Sequence, residues 1–454
     1  MGALMATVWG RRAVWLMGTL IGVGLALGAG HFMPGRPAIA LGVVGVVLAL
    51  GVTVAEPAMI PLMAMPLLLV VKRVGGTGLD LSVSDAALGV ATVTALVFAP
   101  RPFSATFRNL LWLSAIYQFA ILFTVVANPY ASGVVEWAHS WLLVAGALVV
   151  GWTVGRSGHA RAGLTLVVLT ALLLALSTIM QGVVQYSHGE FHEVYTRWPY
   201  EMQKNFVGTV LAFAAVVLYA RPSWMGWRKG WSVAVFTILI VALLMTQSRQ
   251  AIVGLAFGLL VILLRGNAHR RRSKAVVLLA VPALVFVATT VRDQVRSGNG
   301  FNSANQRITW FQDTVAYWMT SPWVGHGLRY WYRPGEPRFQ PPNAEIEMLA
   351  TAGIVGLIGF LVLIAACLAL LWRIEPEYGT LAVAVVLGKV VQGQFDLFWS
   401  AVQVSIPFVI AGICLGALEL HRQDGTLLWL QRATDLTVPE RVSMALPDGG
   451  LEGS

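Results

Sequence analysis

Charge is scarce in this chain: Asp, Glu, Lys and Arg make up 11% of its 454 residues, against 57% hydrophobic ones. A soluble domain carries roughly a quarter charged residues. The shortage excludes a soluble globular fold and leaves an integral membrane protein. Cysteine is almost missing too. Cys367 and Cys414 both fall in apolar runs and supply neither a disulfide framework nor a metal-ligand spacing. His188 and His192 stand four apart without an H-E-x-x-H pattern, so neither a metal nor another cofactor is expected. Acidic residues are the rarer sign, which gives a net charge of +10. In a soluble protein that excess would suggest nucleic acid. Here positive-inside bias and a polyanionic membrane substrate account for it, and no nucleic-acid partner is expected.

What the chain has is apolar runs of spanning length, since a bilayer helix needs about 20 residues and at least ~17. They lie near 13–30, 38–54, 81–98, 110–127, 134–154, 162–184, 205–220, 231–247, 250–265, 275–290, 345–372, 379–395 and 398–420. A shorter run at 57–71, interrupted by Pro57, Pro61 and Pro66, reads as a broken or re-entrant helix. Arg11 and Arg12 precede the first run, which reads as an uncleaved first span. The fold expected is all-α, a polytopic transmembrane bundle of about 12–14 spans. Four regions follow: N-terminal spans 1–290, a loop 291–344, C-terminal spans 345–420 and a loose cytoplasmic tail 421–454.

Short-loop Lys and Arg set the orientation. The cluster at 265–274 should be cytoplasmic, and alternate counting puts Arg101/Arg108, Arg156/Arg161, Arg228/Lys229 and Arg373 on the same side. Loops 128–133, 185–204 and 291–344 then lie outside, with Lys72 and Arg73 the exceptions to the rule. The loop 291–344 is nevertheless rich in arginine, including Arg307, Arg329 and Arg338, beside Trp310, Trp331 and Tyr332. Long loops cross regardless of charge, so these arginines need another explanation. Guanidinium groups bind phosphate bidentately and aromatic faces cover sugar rings. An interfacial aromatic belt explains any one ring equally well; the arginines as a set point to an anionic, lipid-linked glycan.

Several residues are candidates for chemistry. Arg249 sits at a turn between two apolar runs, where an arginine costs a few kcal/mol and either snorkels or has a task. Residues 308–320 have an amphipathic pattern, with Arg307 at the N-terminal edge and Gly325-His326-Gly327 as a flexible turn beyond. Asn343 is a good N-cap for the next helix. Glu345 and Glu347 follow in its first turn on different faces, serving the helix dipole or one of them acting as a base. Lys204 starts a helix from the outer side, and Asp396 is a further acid near that boundary.

Taken in order, these pieces resemble the O-antigen ligase and polymerase (Wzy-type) superfamily of bacterial envelope enzymes. They are Lys204-Asn205, Ser248-Arg249, Arg307 with Trp310, the run Ser321-Pro322-Trp323-Val324-Gly325-His326-Gly327, and Asn343 leading into Met348 to Leu357. The resemblance spans residues 195–400. It implies a GT-C-like enzyme in the bacterial plasma membrane, with its site on the extracytoplasmic face. The reaction implied is a metal-independent, inverting glycosyl transfer from a polyprenyl-pyrophosphate-linked glycan to an acceptor glycan or lipid, among membrane lipids. Arg249 and Arg307 would hold the pyrophosphate, and Lys204, Arg329, Arg338, Asn343 and Trp310 would bind substrate. One position departs from the family pattern: Pro342 stands where ligases carry a histidine before the asparagine. Glu345, Glu347 or His326 would then serve as base, or the leaving group would suffice. The alternative is a transporter or flippase for an anionic lipid-linked saccharide or solute, which should show internal repeats; none is clear.

Overall fold

The structure, a computed structural model, describes residues 58–72, 82–265, 303–333, 339–396 and 401–437, with isolated positions at 51, 56, 285, 288, 289, 292 and 296. Apart from those isolated positions, the expected runs at 13–30, 38–54 and 275–290 fall outside these residues, as does Arg338. Each expected run that falls inside them is a helix. In chain order they are α1 (Met59–Leu67), α2 (Val83–Phe98), α3 (Ala105–Ala127), α4 (Ala131–Trp141) and α5 (Ala147–Arg156). Then come α6 (Ala160–Ser187), α7 (Lys204–Ala220), α8 (Lys229–Thr246), α9 (Arg249–Leu264) and α10 (Ser303–Thr320). The last are α11 (Ala344–Trp372), α12 (Pro376–Gln392) and α13 (Ala401–Thr437). A π-helical turn, Leu142–Gly146, joins α4 to α5 into one span. Among the described residues six helices are long and apolar enough to cross a membrane. The protein is an all-α, multi-pass membrane protein. Its medium dictates this, because helices satisfy their own backbone in hydrocarbon. The first part of the segment expected to be a loose tail is helical, α13 continuing past His421 to Thr437, and 438–454 lie outside the described residues.

Lipid cannot drive helices together by hydrophobic contrast, so close backbone approach does so through small residues. The tightest such seam joins α5 and α13. A Cβ on Gly151 would lie 2.1 Å from the Val409 carbonyl oxygen, and one on Gly412 would lie 2.4 Å from that of Leu148. Gly155 and Gly416 repeat the arrangement one turn on. Outward faces carry Val93, Val97, Trp112, Phe119 and Val126, exposed as lipid-facing residues should be.

The contacts sort the loops into two ends. At one, Arg156 bonds Gln423, Arg265 bonds the carbonyls of Trp372 and Ile374, and Arg422 pairs with Glu375. At the other, Val194 bonds Met245, Tyr130 bonds Leu328, and the Val71 amide bonds Tyr200. This is the grouping that alternate counting of basic loops predicts.

α11 is broken near its start. Gly353 has φ +66 and ψ −168, a conformation only glycine adopts readily. A Cβ there would also sit 2.2 Å from the Trp323 carbonyl oxygen. The backbone groups this break releases are taken up by the segment after α10. The amides of His326 and Gly327 donate to Ala350 and Thr351 at 3.0 and 2.9 Å, and the Ile354 amide donates to Pro322 at 2.9 Å. Thr124 of α3 donates to the same Thr351 carbonyl at 2.8 Å, and the Tyr130 hydroxyl donates to Leu328 at 2.7 Å. Irregular backbone is tolerated at membrane depth where protein satisfies it. The post-α10 loop is thereby fixed to the bundle.

Candidate active site

Beneath that loop lies a cavity of ≈ 530 Å³, within the ~300–1,000 Å³ range of ligand pockets. Its walls come from far apart in sequence. α3 and α4 supply Tyr117, Glu136, His139 and Ser140; the turn before α7 supplies Tyr200 and Glu201. The loop after α10 supplies Arg329, Trp331, Tyr332 and Gln340; α11 supplies Glu347, and Asp396 and Gln403 complete the ring.

Glu347 is 7% exposed. Asn343 caps α11 by accepting from the Ile346 amide at 3.0 Å, which sets the register of this first turn. That register puts Glu347 on the cavity and Glu345 away from it. Gln340 donates to Glu347 Oε1 and accepts from the Tyr332 hydroxyl at 2.6 Å, while Oε2 of Glu347 has no hydrogen-bond partner. Glu345 is tied to Gln394 instead, at 2.7 Å, and Gln394 also accepts from Asn343 at 3.2 Å. These contacts anchor α11 to the end of α12.

The other candidates fall into three places. Arg329 lines the cavity. Arg249 and Arg307 adjoin it rather than line it, and Asp396 forms the junction. Gln250, next to Arg249, donates to Asp396. Burial holds the Arg307 guanidinium below its usual range; Asp396 opposes that shift and Arg249 adds to it. The two arginines thus lie within each other's field on one side of the bundle. Lys204 is close by in sequence to the lining residues Gln203 and Phe206, but its ammonium pairs with Glu193 at 3.0 Å. Its own backbone amide and then Lys204 pull Glu193 below the usual carboxylate range.

His326 and Trp310 hold the loop's own shape. The His326 imidazole lies 2.8 Å from the Tyr317 carbonyl and 3.0 Å from the Thr320 hydroxyl, and its ring packs on Tyr330. Trp310 stacks on Phe339 with ring centroids 5.8 Å apart, and Phe339 packs in turn on Trp331. Gly325-His326-Gly327, expected to be a flexible turn, is instead pinned by the backbone bonds to α11.

A chain of charged residues that the sequence does not single out lies on the opposite wall. His139 Nε2 lies 3.0 Å from Asp85, its Nδ1 lies 3.6 Å from Glu136, and Arg329 reaches Glu136 at 3.5 Å. Ser82 caps α2 and binds Asp85 through its amide at 2.9 Å and its hydroxyl at 2.6 Å. Charges inside apolar runs, here Asp85 and the Glu136/His139 pair three apart, were the available signal.

Comparison with known proteins agrees with this geometry on one point. Residues 233–361, the stretch from α8 to the middle of α11, match the family model described as O-antigen ligase. The stretch contains Arg249, Arg307, Arg329 and Glu347. No curated protein matches the chain.

Proposed function

We propose that this protein is a cell-envelope glycan ligase or polymerase that moves a saccharide from a polyprenyl-pyrophosphate carrier to a glycan or lipid acceptor. The observation that carries the reading is that Asp396 lines the cavity containing Glu347 and accepts from Gln250 beside Arg249, with Arg307 in the field of both Asp396 and Arg249; Arg249, Arg307 and Glu347 all lie in the stretch that matches the O-antigen ligase model. The donor's pyrophosphate rests between the two guanidinium groups, on the extracytoplasmic face. The acceptor hydroxyl enters the cavity, and Glu347 takes its proton. The hydroxyl oxygen attacks the anomeric carbon from the side opposite the pyrophosphate, and the bond to the phosphate oxygen breaks with inversion. Negative charge grows on the leaving polyprenyl pyrophosphate as this happens, and preorganised cations stabilise it. Glu347 fills the role that Pro342 cannot. Gln340 fixes one carboxylate oxygen and leaves the other open.

The test is glycan transfer in reconstituted membranes with a polyprenyl-pyrophosphate oligosaccharide donor. Arg249→Ala and Arg307→Ala should each lower turnover by about 100- to 1,000-fold, the usual loss for one electrostatic donor, at unchanged expression. Absence of turnover by wild type, with donor moved between leaflets, would replace this reading with transport.

A further inference from the structure

The cavity's charge is the wrong sign for the donor's phosphates. Glu136, Glu201 and Asp396 line it, against Arg329 and His139. An anion would be repelled there, whereas Arg249 and Arg307 are not among the residues that line it. The pyrophosphate and the contents of the cavity are therefore held apart.

What the cavity offers instead suits hydroxyl groups. Glu136 is clamped between Arg329 at 3.5 Å and His139 at 3.6 Å, and Asp85 and Ser82 lock the imidazole from behind. These groups are mostly buried, with side-chain exposures of 19% for Glu136, 14% for Arg329, 10% for His139 and 3% for Asp85. Buried charges at membrane depth are expensive and are kept for a task. A carboxylate held this way has lost its rotational freedom and presents fixed lone pairs. Tyr332, against which Arg329 stacks at 4.8 Å, and Trp331 add aromatic surface, which covers the apolar face of a pyranose ring. Glu347, more than nine-tenths buried and with one unpartnered oxygen, looks onto the same space. Ser82, Asp85, Glu136 and His139 all lie outside the matched residues 233–361.

We propose that this cavity is the acceptor subsite, that it takes a neutral or amino sugar and rejects an acidic one, and that Glu136 determines this selectivity. The proposal rests on the transferase reading but is read out by binding, so either can fail alone. The experiment is saturation-transfer NMR on the full chain in nanodiscs, with a panel of neutral, amino and uronic-acid trisaccharides. Neutral or amino members should receive saturation and uronic-acid members should not. Glu136→Gln should admit the uronic-acid sugars, and Tyr332→Ala should weaken the neutral ones at least several-fold. Asp85→Asn, which frees the imidazole but leaves the cavity surface in place, should blur the discrimination. Uronic-acid sugars binding wild type as well as neutral ones, selectivity unchanged in Glu136→Gln, or no saturation of any member would each overturn the proposal.

Discussion

At the scale of single residues, two neighbouring glutamates have separate duties. Glu347 faces the cavity while Glu345 bonds Gln394 and holds α11 against α12. Glu347→Gln keeps the side chain's size and can still bond Gln340, yet cannot take a proton. Turnover should fall by about 100- to 10,000-fold, the span of general acid–base contributions, with donor binding retained. Glu345→Gln still accepts from Gln394, and turnover should stay near wild type. Rates measured at saturating donor separate the two. The sequence showed both acids and showed that they face different ways, but not which one meets a cavity. That depends on the Asn343 cap and on Gln394 just after α12, some 50 positions further along the chain. Arg249 stood out in the sequence because an arginine at an apolar boundary is conspicuous, and Arg307 because it edges an amphipathic segment. The Asp85–His139–Glu136 chain was equally conspicuous in principle, since each member interrupts an apolar run. Its meaning emerges only when Arg329 arrives from a distant loop.

At the scale of elements, hydropathy found the helices because the bilayer imposes both their length and their composition. It could not find the break in α11. The run Thr351-Ala352-Gly353-Ile354-Val355-Gly356-Leu357 is continuously apolar, and the partner that supports the break lies before it in the chain. Nor did hydropathy reveal which helices pair. The spacing of Gly151/Gly155 and Gly412/Gly416 carried that information, and the geometry at the α5–α13 seam shows why. Gly151→Leu places a side chain where a Cβ alone would come within 2.1 Å of a carbonyl oxygen. Overpacking of this kind costs about 1–3 kcal/mol. A lowered melting temperature of the detergent-purified protein should report it, while Gly230→Leu, where a Cβ meets open space, should not.

At the scale of the whole molecule, the bundle has a basic end and a site-bearing end, and the sequence's loop charges anticipate that grouping. The proposed orientation puts the site outside. It is testable because both native cysteines are buried and silent to a membrane-impermeant thiol reagent. A cysteine at His188, on the site-bearing end, should label in intact cells. One at Ser223, on the basic end, should label only after permeabilisation. The reverse pattern would invert the topology. The cavity itself draws on residues from Val71 to Gln403, so no local segment announces it.

The junction between the post-α10 loop and the break in α11 also bears on how the protein is made. Ala350, Thr351 and Ile354 have backbone groups that their own helix does not satisfy. A ribosome delivers the chain from its N-terminus, so Thr124 and Tyr130 are in place before residues 322–327 emerge, and those before α11. The last of the three partners can then enter the bilayer onto a prepared template rather than with bare polar groups. Grafting this loop from a relative would therefore have to bring the first turns of α11 with it. The heritable unit is the junction, not the loop.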